Sequence, residues 1–128
     1  MEKRDVREAI EVLDAVMTAS GQTRQMLEMP AVVGALRVVG CDIGARPKDA
    51  PVFEDVRPHI LAVRREPRRL TVEFDGKASE LVEAFVAAER RCCSDLVFSV
   101  SPGDPTVMQV EAAPELVDMV EGWMAPGP

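Results

Sequence analysis

A change of hydrophobic period near the middle of the chain constrains the fold more than any other feature. Apolar and polar residues alternate along Leu70–Phe74, as they do in a half-buried strand. After a turn at Asp75 and Gly76, Ser79 can cap a helix whose apolar side chains recur at helical spacing to about Cys93. A strand followed directly by an amphipathic helix predicts an α+β fold with helices packed on one face of a sheet.

The neighbouring segments extend this pattern over most of the chain. The predicted elements are a strand over 36–43, a helix over about 52–65, the strand over 70–74, the helix over 79–93, a hairpin of 96–100 with 107–110, and a closing helix after Pro114. The 128 residues suit one compact domain. We therefore predict a single-domain β-α-β-α-β-β-α sandwich over about 36–124, followed by a frayed tail over 125–128.

Residues 1–35 are predicted to form a helical N-terminal extension, with one helix over 3–19 and a second, short helix over 22–30. Its apolar stripe consists of Val6, Ile10, Leu13 and Met17. A helix of this length is only marginally stable alone, so the stripe must pack on its own domain or on another chain. We expect a homodimer formed through the N-terminal helix.

Composition narrows the classes of partner. The net charge is −7, from 22 acidic and 15 basic residues, and there is one Trp and no Tyr. Such a chain lacks both the basic face and the aromatic platform of a nucleic-acid binder, so we expect no direct nucleic-acid partner. No apolar tract reaches the ~18–20 residues that span a bilayer, so we expect no membrane partner. The charged start predicts a cytoplasmic protein, where three cysteines stay reduced and an odd count argues against a disulfide framework.

The cysteines form the strongest candidate site. Cys92 and Cys93 are adjacent, Cys41 is the third cysteine, and Glu89 stands one helical turn before the pair. If the predicted strand packs Cys41 beside this helix, three thiolates converge, which is a ligand set for a soft ion such as Zn(II), Cu(I), Hg(II) or As(III). Cys41, Cys92 and Cys93 are therefore the predicted metal ligands, and Glu89 is predicted to be a further ligand or to support the others.

Three further residues are weaker candidates around this site. Glu89 falls on the apolar face of its helix, where an unpaired carboxylate is costly. We expect Arg90 or Arg91, a backbone donor or a bound cation to compensate it, and both arginines would also favour thiolates. Asp95, three residues after Cys92, is a candidate proton carrier.

A short motif within this region carries a family resemblance. Cys41, the run Glu89–Cys93 and then Phe98 resemble a group of small bacterial proteins of uncharacterised function, which share a strand-borne Cys and an E-R-x-C-C-P-F motif. Similar domains are sometimes fused behind a DNA-binding domain of the mercury-resistance-regulator type. The resemblance covers about 36–124 and implies heavy-metal or thiol sensing at the predicted ligands. Ser94–Asp95 replaces the usual Pro-Phe, and the N-terminal extension is too short for a winged helix.

Three functions remain open from the sequence. The first is a soft-metal or metalloid binding or sensing protein that uses the three thiolates. The second is a dimerisation or partner-interaction module with a small-ligand pocket and structural cysteines. The third is a thiol-redox protein that uses Cys92 and Cys93, and no motif identifies an enzymatic reaction. A separation of roughly 3.5–4 Å between the sulfur of Cys41 and those of the pair would favour a shared ion.

Overall fold

The computed structural model describes residues 3–20 and 29–124. The helices are α1 (Lys3–Ser20), α2 (Pro30–Val38), α3 (Phe53–Val56), α4 (Ser79–Cys92) and α5 (Pro114–Met124). The strands are β1 (Ile60–Glu66), β2 (Arg69–Phe74), β3 (Val97–Ser101) and β4 (Thr106–Glu111). Short 3-10 turns occupy Ile43–Ala45, Arg57–His59 and Gly76–Ala78.

The four strands form one sheet in the order β1-β2-β4-β3, and each neighbouring pair is antiparallel. The register places Leu70 opposite Val110, and Val110 opposite Phe98. All three side chains are buried, so they belong to one row on the core face of the sheet. Helix α4 connects β2 to β3, with β4 lying between these two strands.

The core lies between this sheet face and two helices. Helix α4 packs against β3 and β4, whereas α5 packs against β1 and β2. Phe74 and Phe85 are fully buried, and Phe53 meets Phe85 edge-on with ring centroids 4.9 Å apart. Burying a side chain of this size contributes about 1.5–3 kcal/mol. The prediction of a single α+β domain with helices on a sheet is thus confirmed.

The N-terminal helix uses part of its apolar stripe within the chain. Helix α1 packs against α2 and touches α5. Leu13 is fully buried, Val6 and Ile10 are half-buried, and the side chain of Met17 lies outside what is described. The homodimer through this helix therefore stays a prediction. Among the described residues, none of the helices combines the length and apolar character that a membrane crossing requires.

The predicted strand over 36–43 is wrong, because the segment begins in a helix that runs to Val38 and continues as a turn. Buried side chains follow the helical spacing in α2 and just beyond it, at Val32, Ala35, Leu36 and Val39. Pro30 starts α2, where its fixed φ suits a first helical position. Gly40 follows the helix with a φ of 88°, leaving Cys41 as an isolated bridge partner. Most of the predicted short helix over 22–30 and all of the predicted frayed tail over 125–128 lie outside the described part.

The predicted helix over 52–65 is also wrong. Helix α3 ends at Val56, Pro58 lies in a 3-10 turn, and β1 begins at Ile60. A proline inside a helix removes a backbone donor and clashes with the preceding turn, whereas the residues from Ile60 onwards pair with β2, with one register shift between Ile60 and Ala62. The other predicted elements are confirmed: the helix over 3–19, the strand over 70–74, the helix from Ser79, the hairpin and the closing helix. Within 36–124 the main order is therefore β-β-α-β-β-α.

Candidate functional site

The candidate site forms where the end of α4 meets the loop after α2. Helix α4 ends at Cys92, and Cys93 has an extended backbone with φ −111° and ψ 108°. Cys93 forms an antiparallel bridge with Cys41. The Asp42 amide donates to the Cys92 carbonyl at 2.6 Å, and the Ser94 amide donates to the carbonyl before Cys41 at 2.8 Å. These two backbone hydrogen bonds help to hold the two cysteine-bearing segments together.

Cys41 and Cys93 are joined by a disulfide, and Cys92 is a free cysteine. All three are buried. The expectation of three reduced cysteines is thus wrong for this structure. The predicted convergence of Cys41 with the adjacent pair is present, but the sulfurs are bonded rather than spaced for a shared ion. The helix ends between the two adjacent cysteines, so only Cys93 turns towards Cys41.

The other polar atoms lie close around this bond. The Cys92 and Cys93 Sγ atoms are 3.5 Å apart, and Glu89 Oε2 lies 3.2 Å from Cys93 Sγ. The ligand atoms of Glu89, Cys92 and Cys93 all lie within 4.8 Å of one another. A disulfide sulfur carries no proton, so the contact of Cys93 with Glu89 becomes an S–H···O hydrogen bond only after reduction. This buried group could hold a metal ion.

Arg46 completes the site and was missed by the sequence analysis. Its Nη1 lies 2.5 Å from Glu89 Oε1 and 3.9 Å from Cys92 Sγ, and its Nη2 donates to the Pro51 carbonyl. The guanidinium also stands 5.8 Å from the centre of the Phe85 ring. Arg46 follows Cys41 in the same loop, which was the one available signal that it would reach the site.

Burial sets the protonation of the site. Burial raises the pKa of Glu89, and the charge and hydrogen bond of Arg46 oppose that rise. Burial and then the Glu89 charge raise the pKa of Cys92 to about 11, again against Arg46. Cys92 is therefore a protonated thiol near neutral pH. Any ion that binds it must displace that proton.

The weaker candidates lie outside this buried group. Arg90 and Arg91 are exposed and border a cleft of about 370 Å³ that reaches Cys41 and Cys92. Arg46, rather than either of them, compensates Glu89. Asp95 is exposed and lies against the residue before Cys41, on the outside of the same loop.

The site is assembled from two segments whose cysteines are 52 residues apart. Together they supply three sulfurs, one carboxylate and one guanidinium. Comparison of the chain with protein-family models, with curated proteins and with solved structures gives no match. The functional argument therefore rests on the geometry of this site.

Proposed function

We propose that the protein binds a thiophilic metal or metalloid ion through Cys41, Cys92 and Cys93 once the disulfide is reduced. The observation that supports this proposal is the convergence of three buried sulfurs beside Glu89. Thiolates select soft ions such as Zn(II), Cu(I), Hg(II) or As(III) over Mg²⁺ and Ca²⁺. Sensing follows from the same arrangement, because oxidation withdraws two of the three sulfur ligands.

Reduction is the step that opens the site. Two equivalents of an external thiol, RSH, convert the disulfide into two cysteine thiols and release one RSSR. The two electrons reach the protein sulfurs, and the two protons come from the reductant. The backbone hydrogen bonds of Asp42 and Ser94 do not depend on the disulfide, so the separated sulfurs stay close enough to share an ion.

Glu89 is suited to support the ion. One carboxylate oxygen, Oε1, is held by Arg46, while the other, Oε2, faces Cys93. The second oxygen is therefore available as a fourth donor or as an acceptor for the Cys93 thiol. Such carboxylates orient the ligands of a metal site and are typically worth about 10–100-fold in affinity.

Thiol–disulfide catalysis is the less favoured function for the same residues. Cys92 lies 3.5 Å from Cys93 Sγ, so it is close enough to attack the disulfide. Its pKa of about 11 leaves little thiolate at neutral pH, which makes a slow attacking group. A metal ion overcomes the same raised pKa because it binds the deprotonated sulfur directly.

The test compares reduced and oxidised protein in titrations with Zn(II), Hg(II) and arsenite, followed by calorimetry and native mass spectrometry. We expect the reduced chain to bind about one equivalent of at least one of these ions with proton release. Oxidation, Cys92→Ser or Cys93→Ser should each weaken binding at least about tenfold. The double variant Cys92→Ser/Ser94→Cys keeps three thiols but moves one to an exposed position, and it should not restore affinity. Equal affinity in reduced wild type and in a variant with all three cysteines replaced by serine would refute the proposal.

A further inference from the structure

The cleft above the disulfide carries a charge opposite to that of the protein as a whole. The net charge of the chain is −7, yet the cleft is bordered by Arg37, Arg90 and Arg91. We propose that this cleft binds small carboxylate-bearing thiols, which reduce the Cys41–Cys93 disulfide. This inference is connected to the proposed function in one respect. Reduction of the disulfide is the step that makes the ion site available.

The arginines are placed to attract an anion. Arg37 lies in the last turn of α2, and Arg90 and Arg91 lie in the last turn of α4. All three are exposed, and none of them forms an ion pair with the described part of the chain. The acidic group among the described lining residues is Asp42, whose carboxylate accepts a hydrogen bond from the Gly44 amide. A cleft lined by a surplus of one charge raises the local concentration of opposite charges.

Of the two disulfide-bonded residues, Cys41 borders this cleft, although it is only 2% exposed. The described lining includes Cys41 and Cys92 but not Cys93. Once local opening of the loop exposes Cys41 Sγ, a thiolate RS⁻ in the cleft attacks it, forms the mixed disulfide there, and expels Cys93 as a thiolate. A second RS⁻ attacks the sulfur that carries R in this mixed disulfide, which releases RSSR and the Cys41 thiolate. Solvent protons or a bound ion then neutralise the new thiolates.

The volume of the cleft limits the size of the thiol that it can bind. At about 370 Å³ it is near the lower end of the range for small-molecule sites. A short thiol that places its sulfur at Cys41 would hold a carboxylate within reach of the arginine rim. A bidentate contact between a guanidinium and a carboxylate is among the stronger polar contacts in proteins. The ligand class is therefore a compact thiol with at least one carboxylate.

The test measures reduction of the oxidised chain without any metal. The probes are 3-mercaptopropionate, 2-mercaptoethanol and cysteamine, which carry negative, neutral and positive groups on similar frames. With rates expressed per thiolate, we expect 3-mercaptopropionate to react at least about tenfold faster than cysteamine at low salt, and less so at 1 M salt. Arg90→Gln/Arg91→Gln and Arg37→Gln should lower that ratio. The control Arg64→Gln/Arg68→Gln removes two exposed arginines elsewhere and should keep it.

Several outcomes would decide against the inference. A wild-type ratio near one, or equal loss in the Arg64/Arg68 control, would mean that the cleft does not recognise the carboxylate. If the arginine variants lose stability but keep the ratio, these arginines only stabilise the ends of their helices and do not recognise the thiol. A chain that retains three free thiols after oxidation would also overturn it. If the ratio holds but the reduced protein binds no ion, the ion-binding proposal fails and this inference stands.

Discussion

Arg46 Nη1 lies 2.5 Å from Glu89 Oε1, and the two side chains are only 5% and 7% exposed. Both charges have left water, so each depends on the other to offset its desolvation. Arg46 belongs to the loop after Cys41, whereas Glu89 belongs to the last turn of α4. The pair therefore joins the same two segments that supply the sulfurs.

The first prediction concerns this buried pair. Arg46→Met or Glu89→Gln alone should lower the free energy of unfolding by about 3–5 kcal/mol, because each leaves a charge or polar group buried without its partner. The double variant Arg46→Met/Glu89→Met should lose clearly less than the sum of the two single losses. Urea denaturation of the three variants measures this coupling.

A matched control for that experiment lies on the sheet. Arg69 and Glu111 are paired at 3.0 Å, but their side chains are 45% and 51% exposed. Arg69→Gln/Glu111→Gln should change stability by less than about 1 kcal/mol. Additive losses at Arg46 and Glu89, or a coupling no larger than that of the control pair, would contradict the prediction.

The second prediction concerns Gly40, which sets the direction of the chain into Cys41. Its φ is 88°, and an added Cβ would lie 2.5 Å from Asp95 Cγ. Gly40→Ala should therefore cost about 1–3 kcal/mol in unfolding free energy, and Gly40→Ala/Asp95→Ala should recover only part of the steric cost, because Asp95 Cβ would still lie 2.8 Å from the added Cβ. Gly34→Ala is the control, because its Cβ would meet nothing within 4 Å in a helix, and it should gain up to about 1 kcal/mol. If Gly40→Ala is as stable as wild type, the assigned backbone is incorrect.

The third prediction concerns the disulfide. A cross-link between residues 52 apart should stabilise the fold by about 4 kcal/mol through the restricted unfolded chain. Thermal and urea unfolding with and without reductant measure the difference. Cys41→Ser should remove the effect of reductant, whereas Cys92→Ser should keep it. Stability that does not respond to reductant in wild type would count against the bond.

The fourth prediction concerns the reactivity of Cys92. Because its pKa is raised to about 11, its thiolate fraction in the folded oxidised chain should still rise about tenfold per pH unit at pH 9. The iodoacetamide reaction, followed by mass spectrometry from pH 7 to 9.5, should therefore show no plateau. Burial is the main cause of this raised pKa, and the Glu89 charge adds to it; Glu89→Gln removes that charge, so its reaction should be faster at each pH. The urea-unfolded control should level off near the ordinary thiol pKa of about 8.5, and the same levelling in the folded chain would contradict the prediction.

Local periodicity was sufficient to predict much of the fold and part of the site. The switch from strand to helix at Asp75 and Gly76 gave the correct class, and the spacing of Glu89 from the adjacent cysteines correctly placed their ligand atoms together. The strand prediction for the apolar run at 36–43 was wrong because a short buried helix and a buried strand look alike in sequence. Its true assignment depends on packing against α1.

The remaining features of the site depend on contacts between distant segments. Arg46 reaches Glu89 across 43 positions, so no helical or strand spacing reveals the pair. The end of α4 between Cys92 and Cys93 is fixed by the bridge to Cys41, which is itself a tertiary contact. Because the helix ends there, Cys93 can reach Cys41 and form the disulfide. Counting cysteines and assuming a reducing compartment could not predict it.

The Cys41–Cys93 bond closes a covalent ring that contains only half of the sheet. Strands β1 and β2 lie within the ring, whereas β3 and β4 follow it in the sequence. Since β4 pairs with β2, the two halves of the sheet must still find each other across the same length of chain. The ring shortens the path between α1 and α5 by nearly the 52 residues that separate the cysteines. Oxidation therefore lowers the entropic cost of bringing the two terminal helices together. The sequence separation between β2 and β4, and thus their contribution to contact order, stays unchanged.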